Sequence, residues 1–312
     1  MDIRRLDLLR ELAERGTITA VARATHRTPS AVSQQIKLLE KEVGAPLTQP
    51  AGRGISLTHA GRTLAASARD VRIAIEKASA LWDEYANNPV GEVTMAIFPT
   101  AGEMLLPGAL TTLAGAEGLV LLCDDVDPSI EVFADLANDY DVVLAHSPKG
   151  TSTWAGRGLT QVPLMVEPLD VVLPLGHRLA GRTTIAPKDL IGESWIGMPV
   201  GYPTSRLLLE LEAYTRQPVT VVQRFSNTRV IEALVLAGHG IALLPRFTTV
   251  NPGLAVKELS GIESERHIVA LMRPDRAERL SVRKVIAALS NEAERIPLVH
   301  EHPKTQPIDV IT

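Results

Sequence analysis

Ser30, Ser33, Gln34, Lys37 and Lys41 fall on one face of a helix that the spacing predicts from Pro29 to about Val43, opposite an apolar stripe of Val32, Ile36, Leu39 and Val43. Their chemistry suits a DNA groove. An amide can pair with an adenine edge, a serine hydroxyl can reach a base or a phosphate, and a lysine neutralises phosphate. A solvated helix face has the same composition, so the pattern gains meaning only from its surroundings. A second set of polar residues sits in turns ahead of helices: Thr100-Ala101, Tyr202-Pro203-Thr204-Ser205 and Ser226-Asn227-Thr228. Free N–H groups and the positive end of a helix suit a carboxylate there, although each hydroxyl can equally cap its own helix. His146 and Ser147 close another strand and are placed to line the rim of such a site.

Other chemistry finds little support. There is no Gly-x-Ser-x-Gly elbow, phosphate-binding loop, His-Glu-x-x-His pair or dinucleotide glycine fingerprint. The pair Asp124-Asp125 reads as a solvated turn, and neither His177 nor His239 has a partner at metal-ligand spacing, so no metal or cofactor is expected. The single cysteine, Cys123, cannot form an intrachain disulfide, and its apolar run Gly118–Cys123 predicts a buried strand position.

The candidate groove-facing helix belongs to a small head. Ile3, Leu6, Leu9, Leu12 and Ala13 predict a first helix stopped by Gly16, and Thr17 caps a short second one carrying Ala20, Ala22 and Ala24. Thr28 as N-cap with Pro29 at the first helical position starts the third, and Gly44 ends it. Ala51-Gly52-Arg53-Gly54 then reads as a tight turn leading into a short strand, Ile55-Ser56-Leu57, the layout of a winged helix-turn-helix with Arg53 at the wing tip. Thr58 caps a long helix predicted from His59 to about Asn87. Its stripe of Leu64, Ala68, Val71, Ile75, Ala78 and Trp82 exceeds what the head can cover, which implies a partner helix and a dimer. Residues 1–62 carry ten Lys/Arg against six Asp/Glu, a net +4, so the remaining 250 residues carry −8. A positive head on an acidic body is the asymmetry expected if the head is the part that meets DNA phosphates.

Together these residues resemble the LysR-type transcriptional regulators. The resemblance rests on Gly16-Thr17-Ile18-Thr19-Ala20-Val21-Ala22, on Thr28 through Glu40, on Gly44-Ala45-Pro46-Leu47, and on Ile55-Ser56-Leu57-Thr58-His59-Ala60-Gly61. It implies that Thr28, Pro29, Ser30, Ser33, Gln34 and Lys37 read or grip the major groove of double-stranded DNA. Arg53 would reach the adjacent minor groove or a phosphate. Two positions depart from the family pattern. Thr48 stands where a core phenylalanine is usual, which predicts a lighter head core, and Pro50 replaces an arginine, which leaves Arg53 as the main wing cation.

After Asn87-Asn88-Pro89 the pattern alternates apolar strands with helices, as a parallel α/β sheet does. Strands are predicted at 93–98, 119–123, 141–145, 169–173, 195–198, 219–222, 241–244 and 267–272. Helices are predicted at 103–113, 129–138, 204–215, 228–237 and 276–294. Asp141-Val142-Val143-Leu144, Gly176-His177-Arg178-Leu179-Ala180 and Val235 through Pro245 extend the resemblance to the family's effector-binding domain. That implies two α/β subdomains, 91–163 with 268–295 and 164–267, closing over a small-molecule effector as periplasmic binding proteins do. Thr100, Ala101, Ser147, Tyr202, Thr204, Ser205, Ser226 and Asn227 would line the cleft. The predicted units are thus a head at 1–58, a linker helix at 59–88, an effector-binding domain at 91–295 and a flexible tail at 296–312.

The expected class is an α plus α/β homodimer or homotetramer. Without an apolar run of about 18 residues, and with charges among residues 1–7 where a signal peptide needs an apolar stretch, a cytoplasmic protein with no membrane partner is expected. The alternatives are an architectural DNA-binding protein whose body takes no ligand and, less in keeping with the missing motifs, an enzyme.

Overall fold

Each helix of the head begins on a side-chain cap, and the first and third end on a glycine. The structure is a computed structural model and describes residues 1–52, 54–86 and 90–301. Helix α1 (Ile3–Arg15) stops at Gly16, whose φ of 75° is one that L side chains rarely adopt. In α2 (Ile18–Ala24) the Thr17 hydroxyl accepts from the Ala20 N–H. In α3 (Pro29–Val43) the Thr28 hydroxyl accepts from the Ala31 N–H, and Gly44 closes the helix at φ 70°. Leu9, Val21, Val32, Ile36 and Leu39 bury together between the three helices.

The wing is a hairpin of β1 (Thr48–Ala51) and β2 (Gly54–Leu57), with Thr48 opposite Leu57. Only its second strand is legible from the sequence, because Pro50 speaks against the first. A two-stranded ribbon has no central strand, so the missing N–H is tolerated. Thr48 is tied to α3 by hydrogen bonds. The Glu40 carboxylate accepts from the Leu47 N–H, the Thr48 N–H and the Thr48 hydroxyl at 2.8, 2.9 and 3.0 Å, and Leu47 is only 1% exposed. A polar clasp stands at the position where the resembled pattern usually carries a phenylalanine.

Helix α4 (His59–Tyr85) starts on the Thr58 cap and lies against the hairpin's base so closely that a Cβ on Gly61 would sit 2.0 Å from the Leu47 carbonyl oxygen. Ala65 and Ala68 bury against the head, whereas Leu81, Trp82 and Tyr85 at the far end are largely exposed.

The body is built on one eight-stranded sheet. Its strands are β3 (Gly91–Ile97), β4 (Leu119–Asp125), β5 (Val142–Ser147), β6 (Thr160–Pro174), β7 (Thr184–Ile185), β10 (Ala242–Pro245), β11 (Leu254–Leu259) and β12 (Glu265–Met272). The order is β4-β3-β5-β12-β6-β11-β7, with β10 also paired to β6. A separate parallel pair, β8 (Ser194–Gly197) and β9 (Thr220–Arg224), joins through a bridge from Trp195 to Ile241. The long β6, expected only at 169–173, pairs with β12 at one end and with β10 and β11 at the other, so it runs through both halves. The two-residue β7 and the six-residue β11, which carries Lys257 and Glu258 between buried ends, show too little period-two pattern to be read from sequence.

Helices α5 (Pro99–Leu113) and α10 (Leu280–Glu301) cover the first half, over a core that includes Met95, Leu105, Leu144, Ile268 and Leu289. Helices α7 (Pro203–Thr215) and α8 (Thr228–Leu236) cover the second, and the four-residue α9 (Pro274–Ala277) joins β12 to α10.

Three sequence expectations are corrected here. The helix predicted at 129–138 is one turn, α6 (Phe133–Leu136). The Ile130 carbonyl, which a longer helix would need, accepts instead from Trp154 Nε1, and the Asp127 carbonyl just ahead of the segment accepts from Tyr202 Oη. Cys123 is exposed, because β4 is the edge strand and its outward face has no covering layer. The tail predicted from Ile296 is helical as far as Glu301, since Ile296 buries in the first core and the His300 ring lies 4.9 Å from that of Phe247. The rest of the predicted tail, 302–312, lies outside the described residues.

Candidate nucleic-acid interface and ligand cleft

On α3 the predicted contact residues face outward together. Thr28, Pro29, Ser30, Gln34 and Lys37 are exposed and Ser33 is half-buried, while Val32, Ile36 and Leu39 hold the helix to the head. The Thr28 hydroxyl is engaged in its cap and sits 3.1 Å from the Ser30 hydroxyl, which fixes the start of the helix. The two glutamines divide their work. Gln35 accepts from Arg5 Nε at 3.1 Å and ties α3 to α1, leaving Gln34 as the amide that faces outward. Arg53 lies outside the described residues.

In the body, the turn before α5 and the turn before α7 are linked by a continuous set of contacts. Thr100 Oγ1 accepts from Arg266 Nη2 at 2.7 Å, and Arg266 grips Glu167 at 2.6 and 2.9 Å. Both partners are buried, at 4% and 0% exposure, so the pair is sealed between the crossover strands β6 and β12. The Arg266 guanidinium lies 5.1 Å from the Phe98 ring centre, and Phe98 packs 4.4 Å from the His146 ring. His146 Nε2 stands 3.0 Å from Asp127 Oδ1, and the Asp127 carbonyl accepts from Tyr202 Oη at 2.6 Å. Burial holds the His146 pKa below the ordinary histidine value, and the charge on Arg266 adds to this while Asp127 opposes it.

Across the same junction Arg229, in the first turn of α8, pairs with Glu103 of α5. Asn227 is exposed and caps α8 through the Arg229 N–H at 2.9 Å, and Ser226 beside it is exposed. Ser205 Oγ donates to the Tyr202 carbonyl at 2.7 Å. Ala101 is fully buried under the first turn of α5, a helix with no side-chain cap. Ser147, expected at the rim, is fully buried, where it donates to the Gly150 carbonyl and accepts from the Thr153 hydroxyl.

Two buried polar atoms here have no partner among the described residues: Thr204 Oγ1 and His146 Nδ1. Each leaves a hydrogen-bonding demand that a bound group or water would meet. Thr100, while accepting from Arg266, keeps its own proton to give. The site can bind and orient a small polar molecule. It has no nucleophile hydrogen-bonded to His146, the one imidazole with a carboxylate partner in the cleft, and among the described residues no cluster of His, Cys, Asp and Glu is placed to hold a metal ion. Sequence reasoning missed Arg266, Glu167 and Asp127. For Glu167 and Arg266 the available signal was charge carried by apolar strand runs, Glu167 and Asp170 in Pro163–Pro174 and Glu265 and Arg266 in Glu265–Met272; Asp127 had no such signal.

Two family descriptions match the chain: a bacterial regulatory helix-turn-helix protein of the lysR family over residues 3–62, and a LysR substrate binding domain over residues 86–294. Among curated relatives, the transcriptional dual regulator GltC of Bacillus subtilis is 27% identical over 283 residues, covering 89% of this chain and 92% of that protein. A hydrogen peroxide-inducible genes activator of Dickeya chrysanthemi is 25% identical over 285 residues, with 88% and 90% covered. A full-length OxyR variant from Pseudomonas aeruginosa superposes with a TM-score of 0.62 at 21% identity, covering 94% and 97% of the two chains.

Proposed function

The chain belongs to the LysR family of bacterial helix-turn-helix regulators, and from that premise we propose a division of labour among its residues. It is a DNA-binding transcription regulator with an effector-binding body, and not an enzyme. The functional units we assign are the head at 1–58, the linker at 59–88 and the body from 91. Within the head, Ser30, Ser33, Gln34 and Lys37 read or grip the major groove, Thr28 and Pro29 set the helix start against the phosphates, and Arg53 serves the wing. The observation that carries this reading is the outward face of α3, where Gln34 and Lys37 stand exposed opposite the buried Val32, Ile36 and Leu39. The work is done where the chromosome lies, in the cytoplasm. Among the described residues no helix is long and apolar enough to cross a membrane.

The effector site is the junction of the two halves, and its ligand is a small organic anion. Thr100 offers a hydroxyl proton beside the uncapped first turn of α5, and the buried Thr204 hydroxyl has no partner among the described residues. Tyr202, Ser205, Ser226 and Asn227 shape the wall opposite. The Tyr202–Asp127 and Arg229–Glu103 contacts span the halves, so a ligand that binds one closure better than another shifts the placement of the heads. The working form is a homo-oligomer. Exposed Trp82 and Tyr85 at the end of α4, and Val120 and Leu122 on edge strand β4, supply apolar faces for a second copy.

A footprint on DNA from just upstream of the protein's own gene tests the DNA reading. Protection of two adjacent major grooves related by a dyad is the expected result, and no protection at low salt, where phosphate contacts are strongest, would refute it. For the cleft, a thermal-shift screen of small carboxylates against the full chain should yield a stabiliser whose effect is lost in Thr100→Val.

A further inference from the structure

A cavity of about 460 Å³ lies away from the cleft, at the junction of head, linker helix and body. That size falls within the range of small-molecule sites. Seven arginines line it against five carboxylates. The head contributes Arg4, Arg10 and Arg27, the linker Arg72, and the body Arg273, Arg276 and Arg279.

The charges do not balance pairwise. Arg10 and Arg273 are satisfied by Glu11, Glu14 and Asp275, which tie α1 to the segment after β12. Arg72 is held by Glu76 and Asp7. Arg276 and Arg279, however, share one oxygen, Asp141 Oδ1, at 3.1 and 2.9 Å, while Asp141 Oδ2 is taken by the Thr94 N–H. Two guanidinium forks on one carboxylate leave about one positive charge uncompensated. Among the described residues the guanidiniums of Arg4 and Arg27 have neither an ion pair nor a hydrogen bond. The cavity therefore has surplus positive charge on two walls, one on the head and one on the body. Guanidinium forks match phosphate and carboxylate geometry through paired N–H donors.

We propose that this junction is a second ligand site, distinct from the cleft, that takes a small molecule carrying two or more negative charges on phosphate or carboxylate groups. Such a ligand bridges Arg4 and Arg27 on the head to Arg276 and Arg279 on the body. Occupancy then sets how the head is held. By linkage, a ligand that favours one head position changes operator affinity, and operator changes its binding in turn by the same factor.

Isothermal titration of the full chain, free of DNA, with inorganic pyrophosphate and separately with citrate tests the assignment. The expected result is one saturable site per chain for at least one of the two anions, weakened tenfold or more in the Arg4→Gln/Arg27→Gln double variant and unchanged in Thr100→Val. Pyrophosphate alone binding would mark a phosphate-bearing ligand and citrate alone a polycarboxylate, and either supports the site. Arg4 and Arg27 are exposed side chains, so the double variant should keep the parent's circular dichroism spectrum. Absence of saturable binding for both anions overturns the proposal, as does binding that survives the double substitution or disappears in Thr100→Val. If the parent binds neither anion while the double variant loses DNA affinity, the two arginines serve the DNA backbone and the proposal falls.

Discussion

Replacing Glu14 by Gln should remove a pH dependence from the stability of the whole chain. Glu14 lies on α1 with Arg10 Nη1 at 3.2 Å and Arg273 Nη1 at 2.8 Å, so it sits in the seam between head and body. Burial raises its carboxyl to about 7, with Glu11 and Asp275 adding to the rise and Arg10 and Arg69 opposing it. Burial likewise opposes the charge on Arg10, but there Glu14, Glu11, Asp275 and Asp7 outweigh it and raise the guanidinium's pKa. The folded protein therefore holds a proton on Glu14 that the unfolded chain, with its ordinary value of 4.5, has already lost. The stability this proton contributes is fully present below the unfolded value and is lost as pH rises through the folded one. A rise from 4.5 to about 7 corresponds to about 3 kcal/mol at ~1.4 kcal/mol per unit. Urea unfolding followed by circular dichroism, at a series of pH values from about 5 to about 8, would give the curve for parent and variant. The parent should lose stability relative to Glu14→Gln by up to that amount across the window, and the difference should level off above it. A difference that is flat across the window would refute burial as the dominant influence. One that rises with pH would show that Arg10 and Arg273 win instead, holding the carboxyl low.

Gln34→Ala should relax base preference in a randomised-site selection, whereas Lys37→Ala should weaken all sequences alike and reduce the salt slope of binding by about 1. Unchanged site selection by Gln34→Ala would remove it from the readout set. Arg266→Met should destabilise by about 3–5 kcal/mol, because it strands a buried Glu167 carboxylate, and adding Glu167→Leu should recover much of that loss in urea titration. A double variant as unstable as the single one would contradict this. Gly61→Ala should disrupt the head, since the new Cβ would sit 2.0 Å from the Leu47 carbonyl oxygen. Its far-ultraviolet spectrum and DNA binding would report the damage, and parent-like behaviour in both would show that α4 can shift away from the hairpin.

Much of the head was legible in the sequence because its information is local. Thr17, Thr28 and Thr58 cap the helices that follow them, Gly16 and Gly44 take the left-handed φ that ends helices, and the stripe of Val32, Ile36 and Leu39 already identifies which side of α3 is left facing outward. Caps, stops and helical periodicity act within about four residues, so one short stretch suffices to read them. Nothing local placed Glu40 under Thr48, or Arg266 against Glu167 across 99 positions of chain. The strand containing Glu167 continues through both halves of the body, and its pattern alone announces only the part buried on both faces. Cys123 and the α6 segment were misread for the same reason: one strand turned out to be an edge, and a carbonyl of the other segment found its partner elsewhere in the fold. The sequence alone determined the head's helices with their caps and stops, its outward face and the polar turns. Which buried charges meet, which turns converge on the cleft and where unbalanced arginines gather were decided by tertiary structure, because charge pairing and burial depend on neighbours that only the closed sheet and the docked head bring within reach.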